Sequence, residues 1–309
     1  MALTTEVADR IYEIQPEGNG LDRFPLCTVY LIVDDKLALV EAGCAIQTPE
    51  IVEAIEKLVD DVNRVSYVFL THSHPDHVGG IGYLAQRMAD AQFIAYPGVG
   101  KLLSDQSVIA KIMTGFKRSF GEDAVDRFGV MLPVAEERFL SIQDGQSILL
   151  GKRELRAIHT PGHDPYHLCF YDTGSKGMFC GDLLGGYFAE IDSVIPPQTV
   201  GTDFMLVLKS LQKLREINPT KLFFSHGSAI GNVEKHIERT ENNITNCQNI
   251  VHRALLARED REKIAFRLID AYPKFSDLAR SQISSPVYIQ RALRWVDSYS
   301  WHLKKMNMI

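Results

Sequence analysis

Long apolar runs, an excess of positive charge and paired cysteines are all missing from this 309-residue chain, and each absence removes a class of protein. No stretch approaches the ~20 consecutive apolar residues that a membrane-spanning helix needs. The opening residues Met1-Ala2-Leu3-Thr4-Thr5-Glu6-Val7 have neither the basic segment nor the apolar core of a secretion signal. The expected location is the cytoplasm, with no membrane partner. Lysine and arginine number 33 against 39 aspartates and glutamates, a net charge of −6. Such a balance gives no general attraction for phosphate backbones, so no nucleic-acid partner is expected and small-molecule substrates are favoured. The five cysteines, Cys27, Cys44, Cys169, Cys180 and Cys247, are odd in number and show no paired spacing. Cys169 and Cys180 fall in apolar runs, where a buried free thiol is the expectation.

What the chain does have is a dense cluster of potential metal ligands. Val65-Ser66-Tyr67-Val68-Phe69-Leu70 has the length and the β-branched and aromatic content of a buried strand. It runs directly into Thr71-His72-Ser73-His74-Pro75-Asp76-His77. His72 and His74 alternate by two and can converge on one cation, while Asp76 and His77 follow the turn at Pro75 and can face a second. Imidazoles and a carboxylate suit zinc, iron(II) or manganese, and the spacing is too tight for the two separated ligand pairs of a zinc finger. The arrangement recurs downstream. A strand at Leu155-Arg156-Ala157-Ile158 leads into His159-Thr160-Pro161-Gly162-His163, where Pro and Gly force a turn. Met178-Phe179-Cys180-Gly181-Asp182 ends on a carboxylate, and Lys221-Leu222-Phe223-Phe224-Ser225-His226-Gly227 on a further histidine. Ligands at the ends of strands are where layered α/β proteins place their chemistry.

The remaining pattern alternates strands and helices. Residues 28–33 and 37–40 read as paired strands joined by a turn at Asp34-Asp35-Lys36. Thr48 is expected to cap a helix that has Pro49 at its first position and an apolar stripe through Ile51, Val52, Ile55, Leu58 and Val59. A helix around residues 80–88 and a strand at 93–96 follow. Residues 142–226 are expected to supply four more strands and a helix over 204–217. Residues 99–131 read as a helical insertion rich in large apolar side chains, among them Phe116 and Phe120, which either pack against the body or contact substrate. Residues 231–309 read as helices over 234–258, 259–272 and 287–305, an extension docking on the core formed by residues 1–230 and closing the substrate cleft. The charged run Arg258-Glu259-Asp260-Arg261-Glu262-Lys263 reads as a solvated face.

With these motifs in this order, the chain resembles the metallo-β-lactamase-fold hydrolases, on the signature His72-Ser73-His74-Pro75-Asp76-His77 and over roughly residues 8–235. The resemblance implies an αβ/βα four-layer sandwich, two mixed sheets between outer helices, with the site along one sheet edge. It also implies two divalent transition-metal ions per chain, zinc first, with iron or manganese as alternatives. His72, His74 and His163 would hold one ion, Asp76, His77 and His226 the other, and Asp182 would bridge them. Asp76 would also orient the attacking water and so act as the catalytic group. Glu41 stands where the family usually has Asp before Gly, in a position expected to support the loop rather than the metal. His159 is expected behind the ligands and His167 as a strand residue with a satisfied ring. His236, His252 and His302 are expected as packing or surface residues.

The implied activity is hydrolysis of a small-molecule carbonyl ester. An acyl thioester comes first, because the set is similar to that of glyoxalase II-type thioesterases and the helical extension looks like that of the quinolone-signal response thioesterase. A lactonase or a phosphodiesterase of the same fold is the alternative. A different class of reading is a metal-containing regulatory protein acting through partners, a homodimer included, on the aromatic and basic stretches Arg291-Ala292-Leu293-Arg294-Trp295 and Tyr299-Ser300-Trp301-His302.

Overall fold

The structure, a computed structural model, describes residues 1–17, 27–197, 199–282 and 285–309. Its first sheet has seven strands in sequence order: β1 (Leu3–Ala8), β2 (Ile11–Gln15), β3 (Val29–Ile32), β4 (Leu37–Val40), β5 (Val65–Phe69), β6 (Gln92–Ala95) and β7 (Phe139–Ser141). The first four run antiparallel, and β4 to β7 are parallel, joined through helices α1 (Thr48–Val59), α2 (Pro75–Val78), α3 (Ile81–Arg87), α4 (Val99–Ser104), α5 (Gln106–Phe120) and α6 (Ala124–Phe128). The second sheet uses β8 (Ser147–Leu149), β9 (Glu154–His159), β10 (Leu168–Asp172) and β11 (Gly177–Phe179). A separate two-stranded ribbon follows, β12 (Gly186–Phe188) with β13 (Ser193–Ile195), then helix α7 (Phe204–Ile217). Strands β14 (Lys221–Phe223) and β15 (Ala229–Ile230) complete the second sheet in the order β15-β14-β11-β10-β9-β8. Helices α8 (Val233–Leu256), α9 (Arg261–Ala271), α10 (Pro273–Gln282) and α11 (Ser285–Lys305) close the chain.

Strand alternation builds the layers. Successive side chains of a strand point to opposite faces, so in β10 Leu168 and Phe170 enter the core between the sheets while Cys169 enters the core beneath the helices. The inter-sheet core joins Tyr30, Ile32, Phe69 and Ile94 of the first sheet to Ala157, Phe170, Phe179 and Phe223 of the second. Outside the first sheet, Leu31 and Leu39 pack on Ile51 and Ile55 of α1 and Leu84 of α3. Outside the second, Met178 and Leu222 pack on Leu211 and Leu214 of α7. The result is the αβ/βα sandwich. The C-terminal helices belong to that last layer, since Ile237 and Ile244 of α8, Leu268 of α9, and Trp295 and Tyr299 of α11 lie in the same cluster. Tyr299 stacks on Phe204 at 4.2 Å, and Trp295, Tyr299 and His302 are all buried. The aromatic stretch that suggested a partner surface is used in internal packing.

Several elements differ from the expectations. Residues 142–226 hold seven strands among the described residues rather than four, because three-residue strands such as Ser147–Leu149 and Ser193–Ile195 are too short to carry a period-two pattern. Helix α10 was not expected, since Pro273 sits within its first turn, where proline is compatible with a helix, but reads in sequence as a stop. Thr48 does not cap α1. Gln47 holds that position, and the buried Thr48 hydroxyl lacks a hydrogen-bond partner. All five cysteines are buried free thiols, as expected. No helix among the described residues is long and apolar enough to cross a membrane.

Candidate metal centre

The loops after β5, β9, β11 and β14 meet at one rim of the sandwich, where backbone bonds tie the sheets together: Leu168 N–H donates to Thr71 O (2.7 Å) and Thr28 N–H to Ser225 O (2.7 Å). All seven expected ligands arrive there. His72 Nε2 lies 3.0 Å from His74 Nδ1, and His163 Nε2 lies 2.9 Å from the same atom. Beside this triad, His226 Nε2 is 3.2 Å from His77 Nε2 and 3.4 Å from Asp76 Oδ2. Asp182 stands between the triads. Its Oδ2 is 3.3 Å from His163 Nε2, and its Oδ1 is 3.4 Å from His77 Nε2 and 3.5 Å from His226 Nε2.

The donor set fits divalent metal. Nitrogen and oxygen ligands at 2.0–2.1 Å on a tetrahedron are separated by roughly 3.3–3.4 Å, close to the spacings within each triad. The hydrogen-bond network also fixes which nitrogens have lone pairs to offer. Thr71 Oγ1 donates to Glu41 Oε1 (2.7 Å), so it accepts from His72 Nδ1–H (2.9 Å) and leaves His72 Nε2 bare. His77 Nδ1–H donates to the same Glu41 oxygen (3.1 Å), which leaves its Nε2 bare. Asp182 Oδ1 is buried without a hydrogen-bond partner, an expensive condition for a carboxylate oxygen unless a cation faces it. Four of the protonation states agree; at His77 and His226 burial acts to lower the imidazoles, but the facing Asp182 and Asp76 carboxylates help raise both, so metal binding there would release protons. Burial pushes the His72 and His163 imidazoles well below their ordinary range, toward the neutral form. Burial acts to raise Asp182, but His226, His77 and His163 around it hold its carboxyl well below the usual carboxylate range. Asp76 is likewise held low by His77 and His226 against the effect of burial. Neutral imidazoles and ionised carboxylates are the forms that bind metal.

Glu41 reaches further into the site than loop support. Fully buried, its Oε1 accepts from Thr71, Ser225 (2.7 Å) and His77. Its backbone is in the left-handed region at φ 71°, a conformation that costs a side-chain-bearing residue roughly 1 kcal/mol or more. A carboxylate behind a ligating histidine fixes its tautomer and raises its basicity. Cys27 completes this cluster, its Sγ 3.7 Å from His77 Nδ1. Burial raises that thiol to about 12, so it stays protonated.

His159 and His167 exchange the roles expected of them. His159 ends β9 on the inter-sheet face, where its ring stacks on Tyr96 at 4.4 Å and its Nε2 meets Pro165 O at 3.0 Å. It touches no ligand, because strand alternation aims it at the first sheet. His167 is fully buried, and its Nε2 accepts the backbone N–H of Asp182 (3.1 Å) while Nδ1 bonds Thr160 Oγ1 (2.8 Å). Burial lowers His167 to about 3, and this neutral ring positions Asp182. Gly181, at φ 48°, makes the contact feasible, since a Cβ there would lie 2.6 Å from His167 Nε2. Sequence reasoning also passed over Thr71 and Ser225, although their adjacency to His72 and His226 was a usable signal.

The centre forms the floor of a cavity of about 400 Å³. Ile112, Phe116, Phe120 and Phe128 of the helical insertion wall one side, Phe188 and Ile195 of the ribbon another, and Arg291 and Arg294 of α11 a third. Phe116 stacks on Phe120 at 4.3 Å and meets Phe128 edge-on at 4.8 Å. The insertion therefore both packs on itself and faces the cavity.

Known proteins agree with this architecture. A Burkholderia ambifaria β-lactamase domain protein superposes with a TM-score of 0.69 over 98% of this chain and 88% of its own, at 17% identity. The metallo-beta-lactamase fold-containing protein ST1585 of Sulfurisphaera tokodaii is 25% identical over 224 residues, 71% of this chain and 81% of its own. The human protein named acyl-coenzyme A thioesterase MBLAC2 is 28% identical over 161 residues, half of this chain and 54% of its own length. The profile of the metallo-beta-lactamase superfamily matches residues 22–226, a span that contains all seven expected ligands, and the chain belongs to that superfamily of metal-dependent hydrolases.

Proposed function

We propose that the protein is a binuclear metal-dependent hydrolase of a small-molecule carbonyl ester, with acyl thioesters as the substrate class. The observation that carries this reading is Asp182, whose two carboxylate oxygens face two separate His/Asp triads at the floor of a largely apolar cavity. His72, His74 and His163 would hold one ion and Asp76, His77 and His226 the second, zinc first, with iron or manganese acceptable to the same donors. Two such ions polarise a carbonyl and lower the pKa of a shared water toward neutrality. Asp76, ionised and at the cavity floor, would orient the nucleophilic water by accepting its hydrogen bond. The aromatic wall excludes bulk water and accommodates an apolar acyl chain. The likeness to a protein named as an acyl-coenzyme A thioesterase supports a thioester over other carbonyl esters.

A substrate panel tests the class: acyl-CoA and glutathione thioesters, homoserine-type lactones, a penicillin and bis-aryl phosphodiesters, each with zinc-, iron- and manganese-loaded protein. Thioesters are expected to be turned over fastest, with activity lost on chelation. Phosphodiesters better by tenfold, ~1.4 kcal/mol in the barrier, would reject the thioester assignment while leaving the metal centre intact.

The aromatic wall should set acyl preference. In Phe116→Ala and Phe120→Ala, kcat/KM for bulky acyl groups is expected to fall more than that for acetyl, each lost contact being worth on the order of 1–3 kcal/mol of discrimination. Equal losses for both sizes would assign the two rings to packing alone.

A further inference from the structure

The face of β2 and β3 that looks into the space between the sheets changes character along its length. Strand alternation puts Ile11, Glu13 and Gln15 of β2 on that face, beside Thr28, Tyr30 and Ile32, with Ile11 opposite Ile32 and Glu13 opposite Tyr30. One end, at Ile11 and Ile32, is apolar core. The other holds Glu13, Gln15 and Thr28, of which Glu13 is 5% and Thr28 1% exposed. Polar groups buried in this way are costly unless hydrogen-bonded. Apart from one another, their side-chain partners lie in a single segment, residues 224–229. Glu13 accepts from Gln15 Nε2 (2.7 Å) and from Ala229 N–H (2.8 Å). Gln15 Nε2 also lies 3.2 Å from Gly227 O and 3.1 Å from Ser228 Oγ. Thr28 Oγ1 donates to Gly227 O (2.8 Å), and Tyr30 OH to Phe224 O (2.7 Å). This segment carries His226. The loop of His163 is held from elsewhere, by Ser210 Oγ of α7 on Pro161 O (2.9 Å) and by Asp203 N–H on Gly162 O (2.8 Å).

We infer that Glu13, Gln15 and Thr28 are positioning residues for one metal ion of the pair, the ion assigned to Asp76, His77 and His226. They fix the backbone that follows His226 and so set the affinity of that triad, although none of the three lines the cavity. Gly227 comes directly after the ligand at φ 130°, where the freedom of glycine leaves the path of the chain to the bonds made by its carbonyl. A metal ligand must reach its place to within about 0.2 Å. A Gly227 carbonyl that loses both side-chain donors therefore disturbs the ligand, even though Ser225 Oγ still donates to Glu41 and Tyr187 N–H to His226 O. Groups standing behind metal ligands typically change affinity by about 10–100-fold. The inference rests on the binuclear reading, and its readout is metal binding rather than turnover.

The experiment is competition of zinc-loaded protein with a chromophoric chelator, paired with the absorption spectrum of the cobalt(II)-substituted protein. His163→Ala and His226→Ala serve as references for the loss of each ion. The combined Thr28→Val and Gln15→Ala variant, which strips both side-chain donors from Gly227 O, should raise the dissociation constant of one ion by about tenfold or more and leave the other within about twofold. The cobalt bands that fade should be those missing from His226→Ala. Glu13→Ala, which releases the Ala229 N–H and Gln15, should weaken the same ion. Thr28→Val alone, nearly the same shape as the native side chain, should do so by about threefold, and Thr28→Ser, which keeps the hydroxyl, should match the wild type. Circular dichroism verifies that each variant is folded, and Thr28→Val carries the test if the combined variant is not. Unchanged affinities, equal weakening of both ions, or loss of the bands missing from His163→Ala overturns the inference. A wild type that binds a single ion rejects the binuclear reading; the positioning role then stands if that ion is lost in His226→Ala and weakened in Thr28→Val, and falls otherwise.

Discussion

Asp182→Ala is expected to reduce bound metal from about two ions per chain to less than about one and to abolish hydrolysis, the largest single-residue effect on the centre. Two dications close together repel, and the site offsets that repulsion with only two carboxylates among its seven proposed ligands, Asp76 and Asp182. Asp182 alone faces both triads. Without it, five imidazoles and one carboxylate remain, and one ion can be retained by whichever triad binds more tightly, but not both. The backbone is not at fault in such a variant, since the His167 contact is made to the Asp182 main-chain N–H and survives the substitution. Elemental analysis of protein never exposed to chelator decides the point. Retention of two metals in the variant would place the bridge elsewhere, and a wild-type value well below one would reject the binuclear centre.

Asp76→Ala is expected to lower kcat/KM for the best thioester by at least ~10³-fold, in the range associated with losing a positioned acid–base group, with one metal also weakened. The intermediate variant is more informative. Asp76→Asn keeps the shape and one potential oxygen ligand but removes the charge that the ordinary carboxylate form supplies over the whole neutral range, because Asp76 is held well below the usual carboxylate pKa by His77 and His226 despite its burial. Its activity should fall in kcat, with KM little changed, if Asp76 orients the nucleophile. A variant with full metal occupancy and wild-type kcat would show that Asp76 has no part in the reaction.

The seven proposed ligands were legible because each is local. His72, His74, Asp76 and His77 are fixed relative to one another by a strand end and a Pro-initiated helical turn, and His163, Asp182 and His226 each follow a short apolar strand of the same kind. The layered fold was legible for a related reason, as strands and helices with continuous periodic patterns announce themselves. What surrounds the ligands was not. Glu41 is 30 residues from Thr71 and 184 from Ser225, and no local pattern predicts that three donors, two of them from loops distant in sequence, will meet on one carboxylate oxygen. The same holds for His167, which looked like an ordinary strand residue, and for His159, whose neighbour in sequence is the turn but whose neighbour in space is Tyr96. The meeting of Arg294 with Phe120 belongs to this class too, since α11 reaches the cavity only by packing on the second sheet's outer layer. Ligand identity is a property of short segments whose backbone geometry is set within a few residues. Tautomer, ligand orientation and cavity lining are set by contacts across hundreds of residues, and only the packing of the two sheets against their helices decides which of those contacts exist.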